Sequence, residues 1–142
     1  MTATSPPTVR TGAEVPAWVL PVTPTLVVST AVATRDFQDV HHDRDLAVER
    51  GSKDIFLNIL TTTGLVQRFV TDWAGPRALV RGVSIRLGVP AYPYDDLTFT
   101  GAVTERLDGD GEERFVVAVR GSNSLGDHVI GTVTIALAGG VA

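Results

Sequence analysis

Residues 58–73 carry a helical repeat, and the chain beyond them is patterned for strands. Ile59, Val66, Val70 and Trp73 recur at helical spacing, with Thr62 or Thr63 filling the missing turn. Ala74, Gly75 and Pro76 form the stop. Downstream, Ala78 to Val89, Leu97 to Leu107, Arg114 to Arg120 and His128 to Leu137 read as four strands. Turn-rich segments separate them: Pro90 to Asp96, Asp108 to Gly111 and Gly121 to Gly126. In the second strand Leu97, Phe99, Gly101 and Val103 share one face and Thr98, Thr100 and Thr104 the other. Strands joined by short turns pair antiparallel. A single long helix with an apolar face must bury that face against their sheet. The predicted class is α+β, an antiparallel sheet wrapped around a long central helix. Gly64 lies mid-helix, where glycine costs about 1 kcal/mol against alanine, so the sequence predicts a close backbone approach there.

Upstream, residues 1–14 are rich in Thr, Ser, Pro and Gly and are expected to form a flexible tail. Residues 15–142 are then a single domain, a length that buries a core without staples. Pro16, Pro21 and Pro24 keep the next stretch extended, and Trp18, Val19 and Leu20 need a surface to pack on. The β-branched run from Thr25 to Thr34 reads as a strand. Arg35 to Asp43 has no period and reads as a loop. Asp43 is placed to cap a short helix through Arg50 that Gly51 ends.

The absence of cysteine excludes disulfides, thiolate nucleophiles and cysteine-ligated zinc. A formal charge of −4 argues against a nucleic-acid partner, and Arg77, Arg81 and Arg86 read as a solvated face. No run approaches the roughly 20 apolar residues of a membrane helix, and the N-terminus lacks a secretory pattern. The expected location is cytoplasmic, with no membrane partner.

Asp36 and His41 are the first candidates for chemistry. Histidine exchanges a proton near neutral pH, and a neighbouring carboxylate orients it. Five residues apart, they diverge on a helix and point to opposite faces of a strand, so they meet only if the loop turns. Two readings stand open: a water-handling pair, or a turn-capping Asp36 beside a surface His41. His41, His42, Asp39, Asp43 and Asp45 superficially suggest a metal site. Adjacent histidines do not normally share one ion, however, and no second ligand group with defined spacing follows, so no metal is expected. His128 reads as structural or exposed. Backbone amides around Leu57, Asn58 and Ile59, at the start of the long helix, carry partial positive charge that suits a thioester oxygen turning enolate-like; equally, Asn58 is a plain cap. Asp54 is either a catalytic acid or a solvated loop acid. Tyr92 and Tyr94 either line a ligand mouth or pack an ordinary turn.

Asp36-Phe37-Gln38-Asp39-Val40-His41, followed by Ala47, resembles the motif of MaoC-like and (R)-specific enoyl-CoA hydratases. Pro93-Tyr94-Asp95-Asp96-Leu97 resembles the same family's Pro-Gly-Asp-Thr-Leu turn. The chain departs from the family pattern in having Gln38 and Asp39 in place of Asn and Pro. It departs again with Tyr94 for Gly, and with Ile55 to Ile59 where the family has a His-Gly pair. The resemblance implies a hotdog fold and hydration of a trans-2-enoyl-CoA. It implies Asp36 and His41 as the catalytic pair and amides of Leu57, Asn58 and Ile59 against the substrate. It implies no cofactor beyond the CoA of the substrate, and a second hotdog chain as partner, either a related subunit or a second copy. Asp54-Ile55-Phe56-Leu57-Asn58 resembles the small subunits of actinobacterial hydratases acting on steroid side-chain CoA esters, which implies a bulky acyl group. Two alternatives stand beside this: a hotdog acyl-CoA thioesterase in which Asp54 or Asp36 directs water, and a non-catalytic subunit of a heteromeric hydratase.

Overall fold

The computed structural model describes residues 7–138. The elements run β1 (Glu14–Pro21), α1 (Pro24–Ala33), a single 3-10 turn (Asp39–His41), α2 (Arg44–Glu49) and α3 (Ile59–Ala74). Then come β2 (Ala78–Leu87), β3 (Asp96–Gly109), β4 (Glu112–Asn123) and β5 (Gly126–Leu137). The five strands form one antiparallel sheet in the order β1-β3-β4-β5-β2. The expected α+β class, with a sheet around a long helix, is what the chain adopts.

The core lies between α3 and the concave face of this sheet. Leu65, Val66, Phe69 and Val70 of α3 are buried together with Leu97, Phe99, Val103, Val117, Val119, Val133 and Ile135. The alternation read in β3 holds: Leu97, Phe99 and Val103 face inward. Trp18, Phe99 and Phe69 stack in a row, with ring centroids 5.3 and 5.8 Å apart, tying β1, β3 and α3 together. Losing a buried aromatic such as Phe99 costs about 3–5 kcal/mol in comparable cores. The β3–β4 hairpin closes on Asp110 and Gly111, at φ 54° and 74°. Two left-handed central residues match the right-handed twist of the flanking strands.

Two elements differ from expectation. The run Thr25 to Thr34, read as a strand, forms α1 and its C-cap. Thr23 caps that helix by accepting from Leu26 N–H, and Pro24 opens it. The hydroxyls of Thr30 and Thr34 bond the carbonyls four residues back, at 2.6 and 2.7 Å, which satisfies both side chains along the helix. The extended stretch before it is β1, an edge strand whose bulge sets Pro16 and Ala17 opposite Thr100. Of the expected tail, residues 1–6 lie outside the described residues. Gly12 N–H donates to the Val103 carbonyl and Val103 N–H to that of Ala13, each at 2.8 Å, so the chain joins the sheet before Glu14.

Gly64 is also a correction. It is exposed, and a Cβ there meets nothing within 4 Å. The close approach falls instead at Gly131, where a Cβ would lie 2.1 Å from the Ser84 carbonyl oxygen of β2. Of the three arginines read as a solvated face, Arg81 forms a two-bond pair with Glu112 at 2.8 Å. No helix among the described residues is long and apolar enough to cross a membrane.

Candidate active site

The loop after α1 turns enough for Asp36 and His41 to meet. Thr34 ends the helix, and Arg35 takes a left-handed conformation at φ 58°. Arg35 N–H bonds the Val32 carbonyl at 3.0 Å, and Asp36 N–H reaches back to that of Ala31 at 2.9 Å. This bond pair is a Schellman stop, completed here without glycine. It swings Asp36 off the helix axis. The 3-10 turn then brings the chain back and presents His41.

His41 is buried, at 6% exposure, so the surface reading of it does not hold. Its Nδ1 lies 2.7 Å from the Phe56 carbonyl oxygen, which can only accept, so Nδ1 carries a proton. With Nδ1 so committed, Nε2 is the ring nitrogen left to face the site. That atom lies 3.5 Å from Asp36 Oδ2. The Phe56 ring meets the imidazole edge-on, 4.9 Å between centroids, and Tyr92 meets Phe56 in the same way. Asp36 keeps 19% side-chain exposure, so the pair opens to one side.

The long helix supplies the other wall. Asn58 caps α3 and is 3% exposed. Its Oδ1 accepts from Thr61 N–H at 2.8 Å, and its Nδ2 donates to Thr34 Oγ1 at 2.8 Å and to Asp36 Oδ2 at 3.1 Å. Asp36 thus sits past the electronegative end of α1 and against the electropositive start of α3. Of the three expected substrate-facing residues, Leu57 has its N–H bonded to the Ala91 carbonyl at 3.1 Å, which removes it as a free donor. The side chain of Asn58 is engaged with protein groups on both sides, while its backbone N–H has no acceptor among the described residues. Ile59 and its neighbour Leu60 are exposed, and their N–H groups have no acceptor among the described residues. Leu60 was not anticipated, although its place in the first helical turn signals a free amide.

The remaining candidates are engaged elsewhere. Asp54 accepts from Ile55 N–H at 2.8 Å and faces Arg44 at 3.6 Å. Asp39 pairs with Arg50, and Asp43 caps α2 through Leu46 N–H. Tyr94 is 86% exposed with φ 71°, a left-handed backbone that glycine adopts freely. His128 is a buried structural residue: Nδ1 meets the Val89 carbonyl at 2.7 Å and Nε2 meets Thr62 Oγ1 at 2.8 Å. Burial holds its pKa below the usual histidine value, with the bond to Val89 opposing.

The chain is 60% identical over 126 residues to the 3-oxo-4,17-pregnadiene-20-carboxyl-CoA hydratase beta subunit of Mycobacterium tuberculosis, covering 89% of this chain and 95% of that protein. The chain belongs to the family of this hydratase beta subunit. It superposes on the crystal structure of the ChsH1-ChsH2 complex from Mycobacterium tuberculosis with a TM-score of 0.86, at 58% identity, covering 92% of this chain and 99% of that one. The unliganded R-hydratase PhaJ1 from Pseudomonas aeruginosa gives a TM-score of 0.79 at 22% identity over 91% of this chain and 82% of that one, a likeness of fold. The fold is therefore the hotdog. No protein-family model matches the chain.

Proposed function

We propose that this hydratase chain adds water to a trans-2-enoyl-CoA with a bulky, steroid-like acyl group, in a complex with a second hotdog chain. The observation that carries the reading is the pair itself: Asp36 Oδ2 and His41 Nε2 face each other at 3.5 Å, with Nδ1–H of His41 committed to Phe56. A carboxylate oxygen and an imidazole nitrogen without a proton are both acceptors, so a water that bridges them from the open side is held by both of its hydrogens. The pair takes one proton as the water oxygen attacks the β-carbon and returns one to the α-carbon. The free amides of Ile59 and Leu60 suit the thioester oxygen, where negative charge develops. Water addition is redox-neutral and needs no cofactor; CoA is part of the substrate.

The acyl group and the partner rest on the relatives, a pregnadiene-carboxyl-CoA hydratase subunit and a two-protein complex. Exposed Phe37, beside Asp36, and exposed Ile59 and Leu60, beside Asn58, support a covering chain. Asp54 Oδ1 accepts from Ile55 N–H and lies 3.6 Å from Arg44 Nε, an ion pair in place of the paired acid and base found at Asp36 and His41.

The test is loss of enoyl-thioester absorbance with a steroid enoyl-CoA, for wild type and Asp36→Asn, each alone and with its hotdog partner. Wild-type activity that falls about 10²–10⁴-fold in Asp36→Asn is expected for a lost acid–base group. Equal rates would make this chain a supporting subunit.

A further inference from the structure

We infer that Asn58 is a positioning residue for hydration, acting through the carboxylate of Asp36; this rests on the catalytic reading of Asp36 above. A residue that only caps needs its side-chain oxygen alone, here bonded to Thr61 N–H. Asn58 also uses both hydrogens of its amide. One goes to Thr34 Oγ1, whose own proton lies on the Thr30 carbonyl, and the other goes to Asp36 Oδ2. The bonding admits one amide orientation. A flipped amide would set its oxygen against the carboxylate and its NH₂ against Thr61 N–H.

The oxygen it holds is the one that faces His41. With Asn58 in place, Oδ2 keeps one direction toward the amide and presents the other toward Nε2, and at 97% burial no water replaces the amide cheaply. Other restraints on Asp36 are weak: Gln38 N–H reaches Oδ1 at only 3.4 Å. Asn58 therefore sets the rotation of the carboxylate, and it joins the end of α1 to the start of α3 at the same point.

Two substitutions separate capping from positioning, because serine and aspartate both cap helices about as well as asparagine. Asn58→Ser keeps the acceptor and removes the donor arm. Asn58→Asp keeps the shape and turns the donor into a second carboxylate facing Asp36. Both are measured in the assembled hydratase beside wild type, Asp36→Asn and the double variant Asp36→Asn/Asn58→Ser. The expected result is that kcat falls at least 10-fold in Asn58→Ser and further in Asn58→Asp, with KM within about 3-fold. In the Asp36→Asn background Asn58→Ser should cost nothing more, since the group it positions is already gone. Unchanged kcat in a folded Asn58→Ser protein, or equal losses with and without Asp36, would overturn the assignment while leaving the Asp36 and His41 reading intact. An Asp36→Asn protein as active as wild type, or a wild-type complex that hydrates nothing, would overturn both.

Discussion

At Arg35 a long side chain sits on a left-handed backbone, φ 58°, that glycine adopts without strain. Arg35→Gly is expected to raise stability by up to about 1 kcal/mol in urea unfolding, because the strain exceeds the added freedom of the unfolded chain. The strained residue is the one that delivers Asp36 to the site. Its neighbour Thr34 receives an Asn58 hydrogen, so Thr34→Val leaves that hydrogen unpaired. A cost of about 1–3 kcal/mol in thermal unfolding is expected. At this scale the sequence was informative about identity and silent about geometry. Asp36 and His41 were readable as a candidate pair from residue type and family motif. Their convergence was not, since an arginine concealed the stop that a glycine would have announced. The Phe56 carbonyl that fixes the imidazole is a backbone group, invisible in side-chain patterns.

Among the elements, α3 was legible because its apolar residues repeat at 3.6 and its caps are strong. α1 was not. Thr25 to Thr34 is β-branched on every side, and periodicity has nothing to grip in such a run. The decisive signal was the dipeptide Thr23-Pro24, a cap followed by the proline of a first helical turn. β1 was half legible: its prolines marked it as extended, but its partner β3 lies about eighty residues on, beyond local pattern. The misreading of Gly64 gives a prediction of its own. The position is helical and a methyl group there meets nothing, so Gly64→Ala should stabilise by about 0.5–1 kcal/mol, read as a raised melting temperature.

For the molecule as a whole, His128 is the pH-sensitive joint, since it ties α3 through Thr62 and the segment after β2 through Val89 to strand β5. Its folded pKa lies below its ordinary value of 6.5. The unfolded chain therefore binds the extra proton first as pH falls. Stability contributed by neutral His128 is complete above about pH 6.5 and is lost as pH drops toward the depressed folded value. Urea unfolding at successive pH values should show that decline, and His128→Asn should flatten it.

The two rims of the sheet are unlike. β1, at one end, contains Pro16 and Pro21, which have no N–H to offer, and a bulge that bends it. β2, at the other end, runs ten residues without a proline, and among the described residues its outer side pairs with no strand. Growth by strand addition is thus open on one flank and blocked on the other. Two such chains that join through β2 have no second sticky side left, so association closes at a finite particle and does not run on into a fibre.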